Sequence, residues 1–540
     1  MSYVATVVPP QFSMTHLKRF DNEVKSVFFK LLYPGQDCTG ERFARSYHRA
    51  TLSVGQGGLG LPRASVSAAA RWWANLRALQ ADSSIYPFLG GLDCYVQEAI
   101  EIISENVGGK DSTAWMDLAP HLLPPEVYDE APDPPPKTLL RVLLIEHSKF
   151  QNLLVKDKFD VKKVQSSPGG GLTKSDVIAF NTRSNLSIVF NSKRLKNMSN
   201  DQFVKLTTVF LGLPPTHDRG NADSVPGFDY PVESCMTLHG KNTTPHLDAN
   251  GDHHSGSCPS AGLAVNRRHN NLTTVLSKFA MEAGAMTSRE PSSYKLLQGC
   301  LSKVQCDKIF PKSVPAAYKK TANEILSLLA QSPVDQAKVD ALYDGLPQLD
   351  PALSAALRVD LSITNPSNGK VYLIDGSFIH TSCTAYRDAE FKSVEKRLEK
   401  AETVSKKKAM DPSLWDDSVS IAAKVKAKVD KYAPLMQIIL KFQRETTLEG
   451  LHFFVPFVVS SLGELSKEAY GFREELVSMF NLKVANDPRA AFPLAPAKAV
   501  AEYRARLTAA LMQVAAVGLA NITCTAGKPF RNHPILIAGR

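Results

Sequence analysis

Apolar residues at helical spacing dominate the first part of the chain. Phe20, Val24, Val27, Phe28 and Leu31 recur every three or four positions, the signature of one buried helix face. The tract Gly55-Gln56-Gly57-Gly58-Leu59-Gly60-Leu61-Pro62 interrupts the pattern, and Ser65–Leu79 resumes it. Pro124-Pro125 and Pro132-Asp133-Pro134-Pro135-Pro136 predict an extended linker. A further region of periodic hydrophobicity runs to about Leu213, with Ser167-Pro168-Gly169-Gly170-Gly171 as a loop. Residues 230–258 are polar, rich in His, Asn, Gly and Asp, and show no period, so something other than an apolar core must order them.

Beyond this segment the pattern sharpens. Leu272, Val275, Leu276, Phe279 and Ala283 form one helical face, and Gly284 suits the C-cap. Residues 295–350 look like a helical insertion. Leu357–Ile363 and Lys370–Ile379 predict two strands, with Asn368-Gly369 between them as a hairpin signal. Arg387–Lys431 predicts a charged helix broken near Asp411-Pro412. Leu435–Phe442 and His452–Ser460 predict further strands, and helix resumes after Leu465.

A chain of 540 residues with 44% hydrophobic and 21% charged residues has the composition of a folded protein of several domains. The eight cysteines are scattered and form no dense disulfide framework. The first residues show no signal-peptide pattern, and Phe453–Val459 is too short an apolar run to cross a bilayer, so no membrane association is expected. These features predict a reduced nuclear or cytoplasmic protein. The net charge of +10 and a pI of about 9.0 make nucleic acid a candidate partner. Nothing in the sequence specifies an oligomeric state.

Cys235, His239, His253 and Cys258 give the spacing C-x3-H-x13-H-x4-C. Four nitrogen or sulfur ligands in short pairs suit a structural zinc ion, which would supply the folding energy that this polar segment lacks. His246 and His254 are competing ligands, and an incidental His-rich loop is the alternative. Downstream, Asp360 and Asp375 fall on the two predicted hairpin strands. A carboxylate inside an apolar strand is costly to bury unless it is paired or metal-bound. Two on adjacent strands could hold one magnesium ion, which suits phosphodiester cleavage. Lys424, Lys428 and Lys431, at i, i+4 and i+7, share a helix face from which a lysine could neutralise phosphate charge. Glu290, with Glu282 as the alternative, could supply a third carboxylate. Arg267, Arg268 and His269 are expected at the start of a helix, where they would contact phosphate; for His269 the alternative is a helix-start residue bonded to the backbone.

Taken in order, these elements resemble the C-terminal region of LINE-type, non-LTR retrotransposon polyproteins with a restriction-like endonuclease. Gly251-Asp252-His253 and Cys258 match the end of a CCHC knuckle, and Arg268-His269-Asn270 matches an R-H-N signature. Asp360 and Asp375 match its two acidic positions, and Lys428-x2-Lys431-Tyr432 matches a K-x2-K-Tyr element. Upstream, Phe20-Asp21, the Gly57–Pro62 tract and Leu211-Gly212-Leu213-Pro214 resemble the thumb, the segment after a reverse transcriptase and the stretch before the knuckle. Phe454–Gly463 resembles the last core strand and its turn. His239 stands for the second knuckle cysteine and Val359 for the proline of P-D. No Phe/Tyr-x-Asp-Asp palm motif is present.

The resemblance implies an α+β protein with a helical N-terminal half and a PD-(D/E)-x-K, restriction-endonuclease-like αβββαβ core carrying helical insertions. Its regions would be a helical thumb-like segment (1–120), a helical linker (121–229), a zinc-knuckle-like module (230–262), the endonuclease domain (263–485) and a helical tail (486–540). It also implies magnesium-dependent DNA nicking by Asp360, Asp375 and Lys428, with Lys431 or Lys424 as substitutes and Glu290 as third carboxylate. Cofactors would be one structural zinc and catalytic magnesium. The partners would be DNA and, as a second class, RNA. Reverse transcription is not expected of this chain, which looks like a truncated or domesticated copy. The alternative is an inactive, decayed or domesticated nucleic-acid-binding protein.

Overall fold

The computed structural model describes residues 7–35, 38, 40–80, 95–122, 136–166, 172–181, 189–190, 198–213, 230–231, 246–247, 262–291, 324, 327–328, 331, 335–344, 359–383, 385–403, 417–445 and 452–526. They form a mostly helical protein with a small mixed sheet, an α+β arrangement. The chain divides into two compact units. The first takes residues 1–180, 190–229 and 248–251, and the second takes 181–189, 230–247 and 252–540.

The first unit contains α1 (Pro10–Leu32), α2 (Glu41–Thr51), α3 (Ala64–Gln80), α4 (Val96–Asn106), α5 (Thr113–Leu122), α6 (Pro136–Lys158), α7 (Val161–Ser166), α8 (Lys174–Asn181) and α9 (Asn200–Phe210). The 3.6-residue periodicity places Trp72, Trp73, Ile103, Leu118 and Leu143 in one core. Asp21 on α1 accepts the free N–H groups of Ala64 at 2.7 Å and Ser65 at 3.0 Å, and so caps α3 from a distance. Within the glycine tract, Gly58 lies so close to the end of α2 that a Cβ there would meet the Leu52 carbonyl oxygen at 2.1 Å. The Leu211-Gly212-Leu213 turn is tied to α2. Arg42 donates twice to Gly212 O, at 2.9 and 2.6 Å, and Ser46 Oγ donates to Leu211 O at 3.0 Å.

The second unit contains the short strands β1 (Tyr230–Pro231) and β2 (His246–Leu247), then α10 (Gly262–Glu282) and β3 (Met286–Arg289). It continues with α11 (Gln336–Asp344), β4 (Leu361–Thr364), β5 (Val371–Ile379), α12 (Arg387–Thr403) and α13 (Val419–Glu445). It ends with β6 (His452–Ser460), α14 (Lys467–Asn486) and α15 (Pro496–Ala526). The four longer strands pair in the order β3-β4-β5-β6, antiparallel except for the parallel β5–β6 pair.

Strand alternation decides what each face of the sheet meets. Tyr372, Gly376 and Phe378 face α10 and α14. Tyr372 packs on Phe472 at 5.2 Å, Gly376 abuts Leu272, and Phe378 lies under Arg268. Leu373 and Asp375 share the other face, where Tyr432 of α13 packs on Phe454 of β6 at 4.8 Å. Helix α15 is long and apolar enough to cross a membrane, but 61% of its apolar window is buried in the fold. Its Tyr503 stacks on Phe480 of α14 at 4.3 Å and donates to Phe279 O of α10 at 2.8 Å. The segment expected as a tail therefore packs into the second unit.

Three expectations are corrected here. Leu435–Phe442 is not a strand but part of α13. Tyr432, Leu435 and Ile439 are buried at helical spacing, and that burial outweighs the N–H bond lost at Pro434. Arg267-Arg268-His269-Asn270 does not open a helix, because α10 begins at Gly262. These residues lie beyond its first four N–H groups, which alone lack helical partners. Asp360 sits just ahead of β4 rather than within it, although its N–H donates to Ile374 O at 2.9 Å. Cys235, His239, His253 and Cys258, the prolines at 124–125 and 132–135, the loop at 167–171 and most of 295–350 lie outside the described residues.

Candidate functional site

The site grows from strand register. Leu361 of β4 pairs with Ile374 of β5. Asp360 lies one residue ahead of this pair, with its N–H donating to Ile374 O at 2.9 Å, which places it beside Asp375, the residue that follows Ile374 on β5. The two carboxyl groups lie close enough for each to shift the ionisation of the other. Both come from segments that leave little access to water, with side chains 16% and 8% exposed.

Each carboxyl has its own donors. Asp360 Oδ1 lies 3.2 Å from His269 Nε2, and its Oδ2 accepts the Gly376 N–H at 2.6 Å. Glu290 reaches Asp360 through its backbone N–H, which donates to Asp360 O at 2.9 Å from a left-handed conformation (φ 43°), while its side chain is exposed. Asp375 Oδ2 accepts Lys428 Nζ at 2.6 Å, and the same ammonium donates to Gly376 O at 3.2 Å. Helix α13 brings Lys428 to this point. Its N-terminus is capped by buried Glu390 of α12, which accepts from Val419 N at 3.1 Å and Ser420 N at 2.7 Å.

The ionisation pattern follows from these contacts. Burial opposes the charge of Asp360, but the bonds from His269 and Gly376 outweigh it and hold the carboxyl below its ordinary value. Burial raises Asp375, Lys428 offsets part of that rise, and repulsion from Asp360 adds to it. Of the pair, Asp375 keeps its proton to the higher pH. Burial lowers Lys428 despite Asp375. The bond to Asp360 raises His269 against the opposing effect of burial.

The other expected site residues divide. Lys424 lies near enough to Lys428 to repel it. Lys431 is exposed, donates to the Tyr432 hydroxyl at 3.0 Å and lies over its ring. Arg267 is exposed on α10. Arg268 is 3% exposed and turned inward, with its guanidinium 4.4 Å over Phe378 and Nη1 3.5 Å from Ser461 Oγ. Glu282 is paired with Arg506 of α15 instead of with the aspartates.

Two groups were missed from sequence. Gly376 contributes its N–H and C=O on either side of the paired carboxyls, and a Cβ there would lie 3.0 Å from Leu272 Cδ2. Buried Tyr432 has its phenol raised by desolvation and by the charges of Asp375 and Asp360. The Asp-Gly step and the tyrosine closing the lysine run were the available signals. Among the described residues, no group of three or more His, Cys, Asp or Glu side chains is arranged to hold a metal ion. The two aspartates and the Gly376 carbonyl are an all-oxygen donor set, which fits a magnesium ion completed by water and phosphate oxygens. No protein-family model and no curated protein matches the chain.

Proposed function

We propose that the second unit is a restriction-like, magnesium-dependent DNA-nicking endonuclease of the kind found in non-LTR retrotransposon polyproteins. The single observation that carries this reading is the convergence of Asp360, just ahead of β4, with Asp375 of β5 and Lys428 of α13. The order α10-β3-β4-β5-α13-β6 supports an αβββαβ core, with α11 and α12 as added helices. Asp360 and Asp375 would hold magnesium, which when bound supplies activated water and charge neutralisation on the phosphate. Lys428 places a cation beside the developing phosphate charge, where low exposure strengthens its effect. Lys424 and Lys431, on the same helix, extend the positive surface along the DNA backbone. Zinc at Cys235, His239, His253 and Cys258 belongs to the same proposal.

Nicking of supercoiled plasmid in magnesium by the full chain tests the reading. Activity lost in Asp360→Ala/Asp375→Ala supports it, and activity retained there refutes the site. The net charge of +10 equally favours a second reading, an inactive nucleic-acid-binding protein. That protein would bind DNA with a steep salt dependence and never nick it.

A further inference from the structure

We infer that His269 is a positioning residue that aims the Asp360 carboxylate, rather than a contact to nucleic acid; this rests on the metal site proposed above. His269 Nε2 lies 3.2 Å from Oδ1, and the Gly376 N–H donates to Oδ2 at 2.6 Å. One donor on each oxygen fixes the plane of the carboxylate. Each oxygen keeps a lone pair for a cation. The Gly376 donor comes from the neighbouring strand, and the His269 donor comes from α10. The carboxylate is therefore held between two separate elements of the fold.

For this to work α10 must itself be fixed, and the adjacent residue does that. The Arg268 stem packs against Gly518 of α15 so tightly that a Cβ at 518 would meet Arg268 Cδ at 2.2 Å. Its guanidinium lies 4.4 Å over Phe378 of β5 and reaches Ser461, just past β6. Arg268 thus ties α10 to β5 and to the end of β6, and His269 carries that position to Asp360. Of the two residues that the sequence offered for phosphate contact, Arg268 is turned into the protein and His269, still 34% exposed, directs its Nε2 to Asp360.

Outer-shell partners of this kind typically change metal affinity by about 10–100-fold when removed. The test is Mn²⁺ binding by calorimetry to the full chain, with Asp360→Ala/Asp375→Ala defining background from any other site. His269→Phe keeps a ring and loses the donor. Its Mn²⁺ affinity is expected to fall about 10–100-fold. His269→Gln restores an N–H at similar reach and is expected to recover most of the loss. Both variants should bind DNA with the wild-type salt slope, whereas loss of a phosphate contact would reduce that slope by about one. Wild-type affinity in His269→Phe, or equal weakness in His269→Gln, overturns the inference. Binding that ignores Asp360→Ala/Asp375→Ala overturns the metal site itself.

Discussion

Replacing Lys428 with methionine removes an ammonium whose carboxylate partner stays behind. The two side chains are 11% and 8% exposed, so solvent cannot replace the lost partner. Breaking such a pair from one side costs about 3–5 kcal/mol when the remaining group stays charged. Asp375 has an escape, because burial already raises its value and Asp360 repels its charge. Without Lys428 its folded value rises further. Where both folded and unfolded chains carry the proton the substitution costs little. As pH rises past the ordinary aspartate value the unfolded chain ionises first, and the cost grows until the folded carboxyl also ionises. The expected loss is about 3 kcal/mol at pH 8 and under about 1 kcal/mol near pH 4. Hydrogen exchange of β5 and α13 amides measures it locally, without assuming that the two units unfold together. Lys428→Met/Asp375→Asn should recover much of the pH 8 loss, since no unpaired charge remains. An equal loss at both pH values, or none at pH 8, would refute the reasoning.

Other outcomes follow from the same structure. His147 of α6 is 4% exposed and neither ring nitrogen has a hydrogen-bond partner, so burial lowers it to about 4. The first unit should lose on the order of 3 kcal/mol as pH falls from about 6.5 to about 4. His147→Phe should flatten that slope in urea titrations read by the fluorescence of Trp72, Trp73 and Trp115. Gly518→Ala places a methyl against Arg268 and should destabilise the second unit by about 1–3 kcal/mol, read by hydrogen exchange of α15. Elemental analysis should find one zinc per chain, lost in Cys235→Ser/Cys258→Ser; no zinc in the purified protein contradicts the knuckle.

How much of this was legible in the sequence depends on the distance over which each signal acts. Helix α3 and the face from Leu272 to Ala283 follow from local periodicity. The β4–β5 hairpin was marked by Asn368-Gly369, although its turn spans Asn365 to Lys370, with Asn365 N donating to Lys370 O at 2.8 Å. That Asp360 and Asp375 lie near each other was also foreseeable, because a hairpin sets its two strands side by side. Spacing alone showed Lys428 as one of three lysines, and only the family resemblance singled it out. Its selection depends on how α13 sits on the sheet, which Glu390 helps set from another helix. The inward turn of Arg268 depends on Gly518, 250 residues away in sequence, and no local pattern encodes that packing.

The most direct test of the account is plasmid nicking with magnesium. The full chain should convert supercoiled DNA to the open circle, with no conversion in EDTA and none by Asp360→Ala/Asp375→Ala. A wild-type chain that binds DNA and never nicks it, or a double variant that still nicks, would contradict the account.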